Sequence, residues 1–118
     1  MRKPTERREP RVEFLGEQDG PPERELKDAL RIELRQFPKV KRAYLARVGY
    51  APDATPAVAL CLAPSGTEDR TVVDRVLKVF ASLFSANSYI DVLFPSAEQE
   101  LDLQRVCAPF FEIETLST

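Results

Sequence analysis

The sequence predicts an α+β fold, a two-layer sandwich in which a mostly antiparallel sheet carries its helices on one face. Three observations point there. Apolar residues recur at helical spacing in two segments, Leu26, Leu30, Leu34 and Phe37 in the first and Val72, Val73, Val76, Leu77, Phe80, Leu83 and Phe84 in the second. Short runs with the alternation or full apolarity of strands separate them. The resulting order is strand, helix, strand, strand, helix, strand, which suits one layer of helices on one sheet. That order permits a ferredoxin-like βαββαβ arrangement plus a C-terminal helix. A competing layout keeps both layers and pairs the strands in a different order, and periodicity does not choose between them.

Residues 1–11 hold two prolines and seven charged side chains with no apolar period, so they read as a disordered basic tail. A single domain is expected over 12–114, followed by a short tail at 115–118. In "RVEFLGE", Val12 and Phe14 alternate with charged neighbours, and Gly16 punctuates a short strand or extended arm. "DGPPERELKDALRIELRQFP" then reads as a helix. Asp19 or Gly20 caps it, Pro21 and Pro22 fit a first turn whose amides need no partner, and Pro38 sets its end. Arg24, Lys27, Asp28, Arg31 and Arg35 fall largely on the face opposite the leucines.

Two paired strands follow, separated by a linker with Gly49, Pro52, Asp53 and Pro56. In "VKRAYLARVGY", Val40, Arg42, Tyr44, Ala46 and Val48 share one face and Lys41, Ala43, Leu45 and Arg47 the other. "PAVALCLAP" is apolar on both faces and therefore belongs in the middle of the sheet. The second helix lies in "TEDRTVVDRVLKVFASLFS" with Thr67 as its cap. "SYIDVLFP" is a strand that alternates Tyr89, Asp91 and Leu93 against Ile90, Val92 and Phe94. Ser96 caps a last short helix anchored by Leu101 and Val106, and "FFEIETLST" is an extended, initially apolar tail.

Composition excludes more chemistry than it offers. The chain has no histidine, so the commonest general base and metal ligand is missing. None of the four glycines builds a phosphate-cradling loop, and no cofactor or metal is expected. Nearly every Asp and Glu sits on a polar helix face or in a loop; Asp91, inside a strand, reads as an outward position or a partner for a nearby basic group. Cys61 and Cys107 lie far apart without metal or redox spacing and read as free, buried thiols. Arg105, the basic group nearest Cys107 in sequence, points elsewhere on the helix and does not activate it.

The formal charge is −2, and residues 1–11, five basic against two acidic, hold +3 of it, which leaves −5 for the body. Such a body has no electrostatic reason to seek nucleic acid or an anionic membrane. No apolar run spans a bilayer or serves as a secretion signal, so the expected location is cytoplasmic. In "PKVKRAYLARV", Lys41 and Arg42 must point to opposite faces of a strand. Lys39 and Lys41 are thus solvated charges at the strand's start, and Arg42 is the member to test.

The stretch "VEFLGEQDGPPERELKDALRIELRQFPKVKRAYLARV" resembles the C-terminal domain of the SseB (enhanced serine sensitivity) family of bacterial proteins. "CAPFFE", Cys107 to Glu112, is similar to the "APFYER" words that close such domains, with Phe111 where the family carries a tyrosine. The resemblance covers roughly residues 12 to 112 and is specific in "VKRAYLA" and "APFFE". It implies no catalytic residue. The separate N-terminal domain of longer family members has no counterpart in these residues, which implies a chain acting alone or with a partner supplied in trans.

A chain with no activated base or nucleophile and no cofactor loop is expected to bind rather than react. The leading reading is a non-catalytic protein-interaction or regulatory module, with a protein partner or a second copy docking on Arg42, Tyr44, Pro109, Phe110 and Phe111. The alternative is a small-molecule sensor for an amino acid, whose carboxylate Arg42 or Lys41 would hold.

Overall fold

The computed structural model describes residues 12–50, 56–64, 69–85, 88 and 90–113. The tails expected at 1–11 and 115–118, most of the linker after Tyr50, the cap Thr67 and the strand position Tyr89 lie outside the described residues. Eight elements follow in order: β1 (Glu13–Glu17), α1 (Pro21–Leu34), β2 (Arg42–Gly49), β3 (Ala57–Ala63), α2 (Arg70–Leu83), β4 (Asp91–Leu93), α3 (Ala97–Gln104) and β5 (Phe111–Glu112).

The strands form one five-stranded mixed sheet in the order β1-β2-β3-β4, with β5 also paired to β2. Of the two layouts open from the sequence, the chain takes the one that differs from the ferredoxin-like order. β1 pairs antiparallel with β2 even though α1 intervenes, β2 and β3 are antiparallel neighbours, and β3 and β4 are parallel across α2. β3 is central and buried on both faces, as its unbroken apolar run required.

β3 covers one edge of β2 from Arg42 to Val48. The other edge is shared. β1 pairs with the far end, Glu13 to Gly49 through Glu17 to Ala46, and β5 with the near end, Ala43 to Phe111 and Arg42 to Glu112. Both run antiparallel to β2, so β5 continues the line of β1 after a break. The chain leaves that line at Gln18, whose amide still donates to the Leu45 carbonyl, and a later segment rejoins it at Phe110, whose amide donates to the Ala43 carbonyl.

Alternation along β2 sorts the core into two layers. Ala43 and Leu45 join Leu60 and Leu62 of β3 beneath α1 (Leu26, Leu30, Leu34) and α2 (Val72, Val76). Tyr44, Ala46 and Val48 join Ala59, Cys61 and Ala63 beneath Leu103 and Cys107 of the α3 segment. The two long helices thus share one face, as expected, and the C-terminal helix closes the other. Arg75 fixes the side of α2 that meets α1: it donates to Glu33 at 2.9 Å and its guanidinium lies 5.8 Å from the Phe37 ring centroid.

The caps follow local chemistry with one change. Gly20 is the N-cap of α1 and offers no side-chain bond, and prolines at the first two positions remove amides that would otherwise need one. Asp69 caps α2 through the Thr71 amide at 2.8 Å. Ser96 caps α3 in a complete capping box with Gln99. The expected anchors of α3 are corrected. Leu101 is 61% exposed and Val106 41%, while Leu103 and Cys107 are buried. On eight helical residues the apolar signal is too sparse to set the helix's rotation, and the polar partners described below set it instead.

Candidate functional site

The break between β1 and β5 opens a cleft of about 400 Å³ lined by Glu17, Asp19, Arg24, Lys27, Asp28, Arg31, Pro109 and Phe110. Its position follows from topology. At this point the chain departs for α1 on one face of the sheet and returns from α3 on the other, so neither segment fills the gap.

The walls carry three carboxylates and three cations. The Lys27 ammonium is buried, 4% exposed, and donates to Glu17 at 3.0 Å and Asp19 at 2.9 Å. Burial alone would disfavour its charge, but those two bonds outweigh it and hold the ammonium's pKa above the ordinary lysine value. The same contact, with Arg24, holds the Asp19 carboxyl below its ordinary range. Lys27, placed by the sequence on the polar face of α1, is thus buried, and of the two cap candidates Gly20 takes the cap while Asp19 ties β1 to α1. Arg24 reaches Asp19 from the solvent side at 3.1 Å.

Arg31 forms the cleft's other cationic wall. Its Nε donates to the Phe110 carbonyl at 2.8 Å, the guanidinium lies 5.8 Å from the Phe110 ring centroid, and Nη1 donates to Asp28. A backbone carbonyl and an aromatic ring thus hold the planar guanidinium in one orientation. The Asp28 end is loose, since that side chain is 74% exposed.

The other sequence-derived candidates meet a different fate. Arg42 is no free cation: its Nη2 donates to Glu100 Oε1 at 2.9 Å and its Nε to Oε2. Tyr44 is wholly buried, donates to Glu100 and accepts from Gln104 Nε2 at 2.8 Å. Arg42 holds the Glu100 carboxyl below the usual glutamate range, and burial pushes the Tyr44 phenol up to about 12. This closed network fastens α3 to β2 on the face away from α1. Phe111 is a core residue, 7% exposed, packed beneath α1 and α2 where a ring without a hydroxyl needs no polar partner. Tyr44 and Phe111 therefore leave the candidate surface, and Pro109 and Phe110 remain on it, joined by charges of α1.

Sequence reasoning missed Arg24 and Arg31 because they looked like ordinary members of a solvated helix face. It missed Glu100 because one glutamate in a short polar helix carries no signal of burial. Asp91 is half-buried, and its partner is the Tyr50 hydroxyl, which donates to it at 2.7 Å, in place of the basic group anticipated.

Burial pushes the Cys61 thiol up to about 12 and the Cys107 thiol up to about 11, so both are protonated near neutrality and poor nucleophiles. Among the described residues no group of three or more His, Cys, Asp or Glu is placed to hold a metal ion, and no helix is long and apolar enough to cross a membrane.

The family model for the SseB protein C-terminal domain matches residues 14–112, which takes in every element from β1 to β5 but for the first residue of β1. No curated protein and no solved structure matches the chain.

Proposed function

We propose a function from the premise that this chain belongs to the SseB C-terminal domain family: it is a non-catalytic bacterial module of the cytoplasm that binds a protein partner at the cleft between α1 and the Pro109-Phe110 segment. The observation that carries this is the Arg31–Phe110 pair, a guanidinium fixed over an aromatic ring at the mouth of an open crevice. Arginine and aromatic side chains dominate interface energetics, and side chains already fixed in the free protein lose less entropy on binding. The reading is non-catalytic because the two thiols are held protonated and Glu100, the buried carboxylate, is fully engaged.

The test is affinity capture with the whole chain, comparing wild type, Arg31→Glu, Phe110→Ser and an Arg105→Glu control, with folding of each checked by circular dichroism. Arg105 lies outside the cleft and is 78% exposed. A partner held by wild type and by Arg105→Glu but lost from both cleft variants supports the reading. Capture indifferent to both cleft substitutions defeats it.

One observation favours a second reading, an amino-acid sensor. A cleft of about 400 Å³ with adjacent carboxylates and guanidinia is large enough for a small zwitterion, whose carboxylate would displace Asp28 from Arg31. A thermal-shift screen against the proteinogenic amino acids separates the two. Stabilisation by several degrees, abolished in a folded Arg31→Ala variant, promotes the sensor, and a flat screen leaves the interaction module.

A further inference from the structure

The charges of α1 divide into two groups around the cleft. At about 100° per residue, Arg24, Asp28, Arg31 and Arg35 fall on one stripe about 60° wide, and Lys27 lies between that stripe and the buried leucines. Lys27 therefore stands at the back of the cleft, and the stripe runs along its rim. The acids at the back are already matched. Glu17 and Asp19 meet Lys27 and Arg24, two charges against two, so that group carries no net charge.

Two donors of the same cleft are left over. An ammonium has three protons, and among the described residues Lys27 Nζ bonds only to Glu17 and Asp19. Arg31 uses Nε on the Phe110 carbonyl and Nη1 on Asp28, which leaves Nη2 without a bond among the described residues. The two side chains are neighbours, four residues apart on one helix. A buried donor without an acceptor is costly, so an occupant that brings an oxygen to Lys27 gains by it.

The rim indicates the occupant's charge. Its one acid, Asp28, is exposed and holds Arg31 only loosely, so a better-placed carboxylate displaces it and takes both Nη atoms side by side. Arg35, one turn further on, is exposed and has no side-chain bond or ion pair among the described residues.

We propose that the partner segment bound in this cleft is acidic: one of its carboxylate side chains replaces Asp28 on Arg31 and accepts the third proton of Lys27, and a second lies against Arg35. This rests on the binding reading and names the partner's chemistry. Arg35 is about 6 Å along the helix from Arg31, so a single terminal carboxylate does not serve both, whereas acids two apart in an extended segment are spaced by about 6.7 Å. Asp28 is then an internal competitor that occupies the guanidinium until the partner's carboxylate arrives.

NMR titration of the isotope-labelled whole chain with short peptides tests this. The probe is the acetylated and amidated pentapeptide Gly-Glu-Leu-Glu-Gly, beside the same peptide with glutamine for glutamate and that glutamine peptide with a free terminal carboxylate. The glutamate peptide is expected to move the Arg31 Nε–H and Phe110 amide signals saturably, and the other two to leave them in place. Asp28→Asn, at an exposed position, tightens the glutamate peptide by about threefold or more, while Arg31→Gln abolishes the shifts in a chain whose circular dichroism is unchanged. The proposal is overturned by a flat titration with the glutamate peptide, by an equal response to the glutamine peptide, by a response to the free-carboxylate form alone, or by an Asp28→Asn variant that binds no tighter. Cleft-dependent capture of a partner alongside a flat peptide titration leaves the binding reading standing and removes only the acidic class.

Discussion

The hydroxyl of Tyr44 donates to Glu100 Oε2 at 2.5 Å, joining a strand to a helix 56 residues later in the chain. Arg42 and Gln104 complete the set, so a carboxylate 7% exposed is satisfied on both oxygens and a fully buried phenol both donates and accepts. A buried polar group costs little when every partner is present and much when one is removed. Glu100→Ala should therefore destabilise the chain by about 2–3 kcal/mol, discounted because the Arg42 side chain, 28% exposed, still reaches water. Tyr44→Phe should cost about 1–2 kcal/mol, since the ring stays and the bonds go. Urea denaturation decides it; a loss under about 0.5 kcal/mol for both variants would mean the network does not hold α3 in place.

The rotation of α3 makes a sharper demand. Leu103→Ala should cost about 2–4 kcal/mol by opening a cavity under the helix, whereas Leu101→Ala should fall within about 0.5 kcal/mol of wild type. The reverse ranking would turn the helix over.

Acid and alkali should act on different groups. The Glu100 carboxyl titrates below its ordinary 4.5 in the folded chain, so its contribution is complete above that pH and fades as the pH falls through the lower folded value. Cys61, Cys107 and Tyr44 have folded values raised from 9.0, 9.0 and 10.0 to about 12, 11 and 12. Their contribution is complete below pH 9 and is lost as the pH rises through 9–12. Melting temperature followed from pH 2 to 12 should show a plateau between about 5 and 9, with the alkaline fall moved upward in Cys61→Ala after allowance for its lower baseline. An unchanged alkaline limb in that variant would remove Cys61 from the account.

Native thiols should be slow. With both cysteines buried and protonated, reaction with a disulfide reagent at pH 7.5 should lag that of the urea-unfolded chain by at least about a hundredfold. Rapid labelling of Cys107 in the folded chain would reopen the question of a reactive thiol.

Much of the architecture was legible one element at a time. Leucine spacing marked α1, the unbroken apolar run of β3 placed it centrally, and Ser96 announced the start of α3. These signals are local, because helix period, strand alternation and caps are set by residues within a few positions of one another. The site was less legible. Pro109 and Phe110 could be picked as candidates from their types, but Arg42 and Tyr44 could not be separated from a surface pair, since the group that buries and neutralises them stands 58 and 56 residues away.

The sequence by itself determined the element types and the class of the fold. Only the tertiary structure decided strand order, the break between β1 and β5, and which charges are buried. Those depend on which distant segments compete for one edge of β2, and long-range pairing of that kind leaves no periodic trace along the chain. Lys27 shows the difference most simply: on the helix it is one more polar residue, and in the fold it is an ammonium closed in by Glu17 and Asp19 because β1 ends beside it.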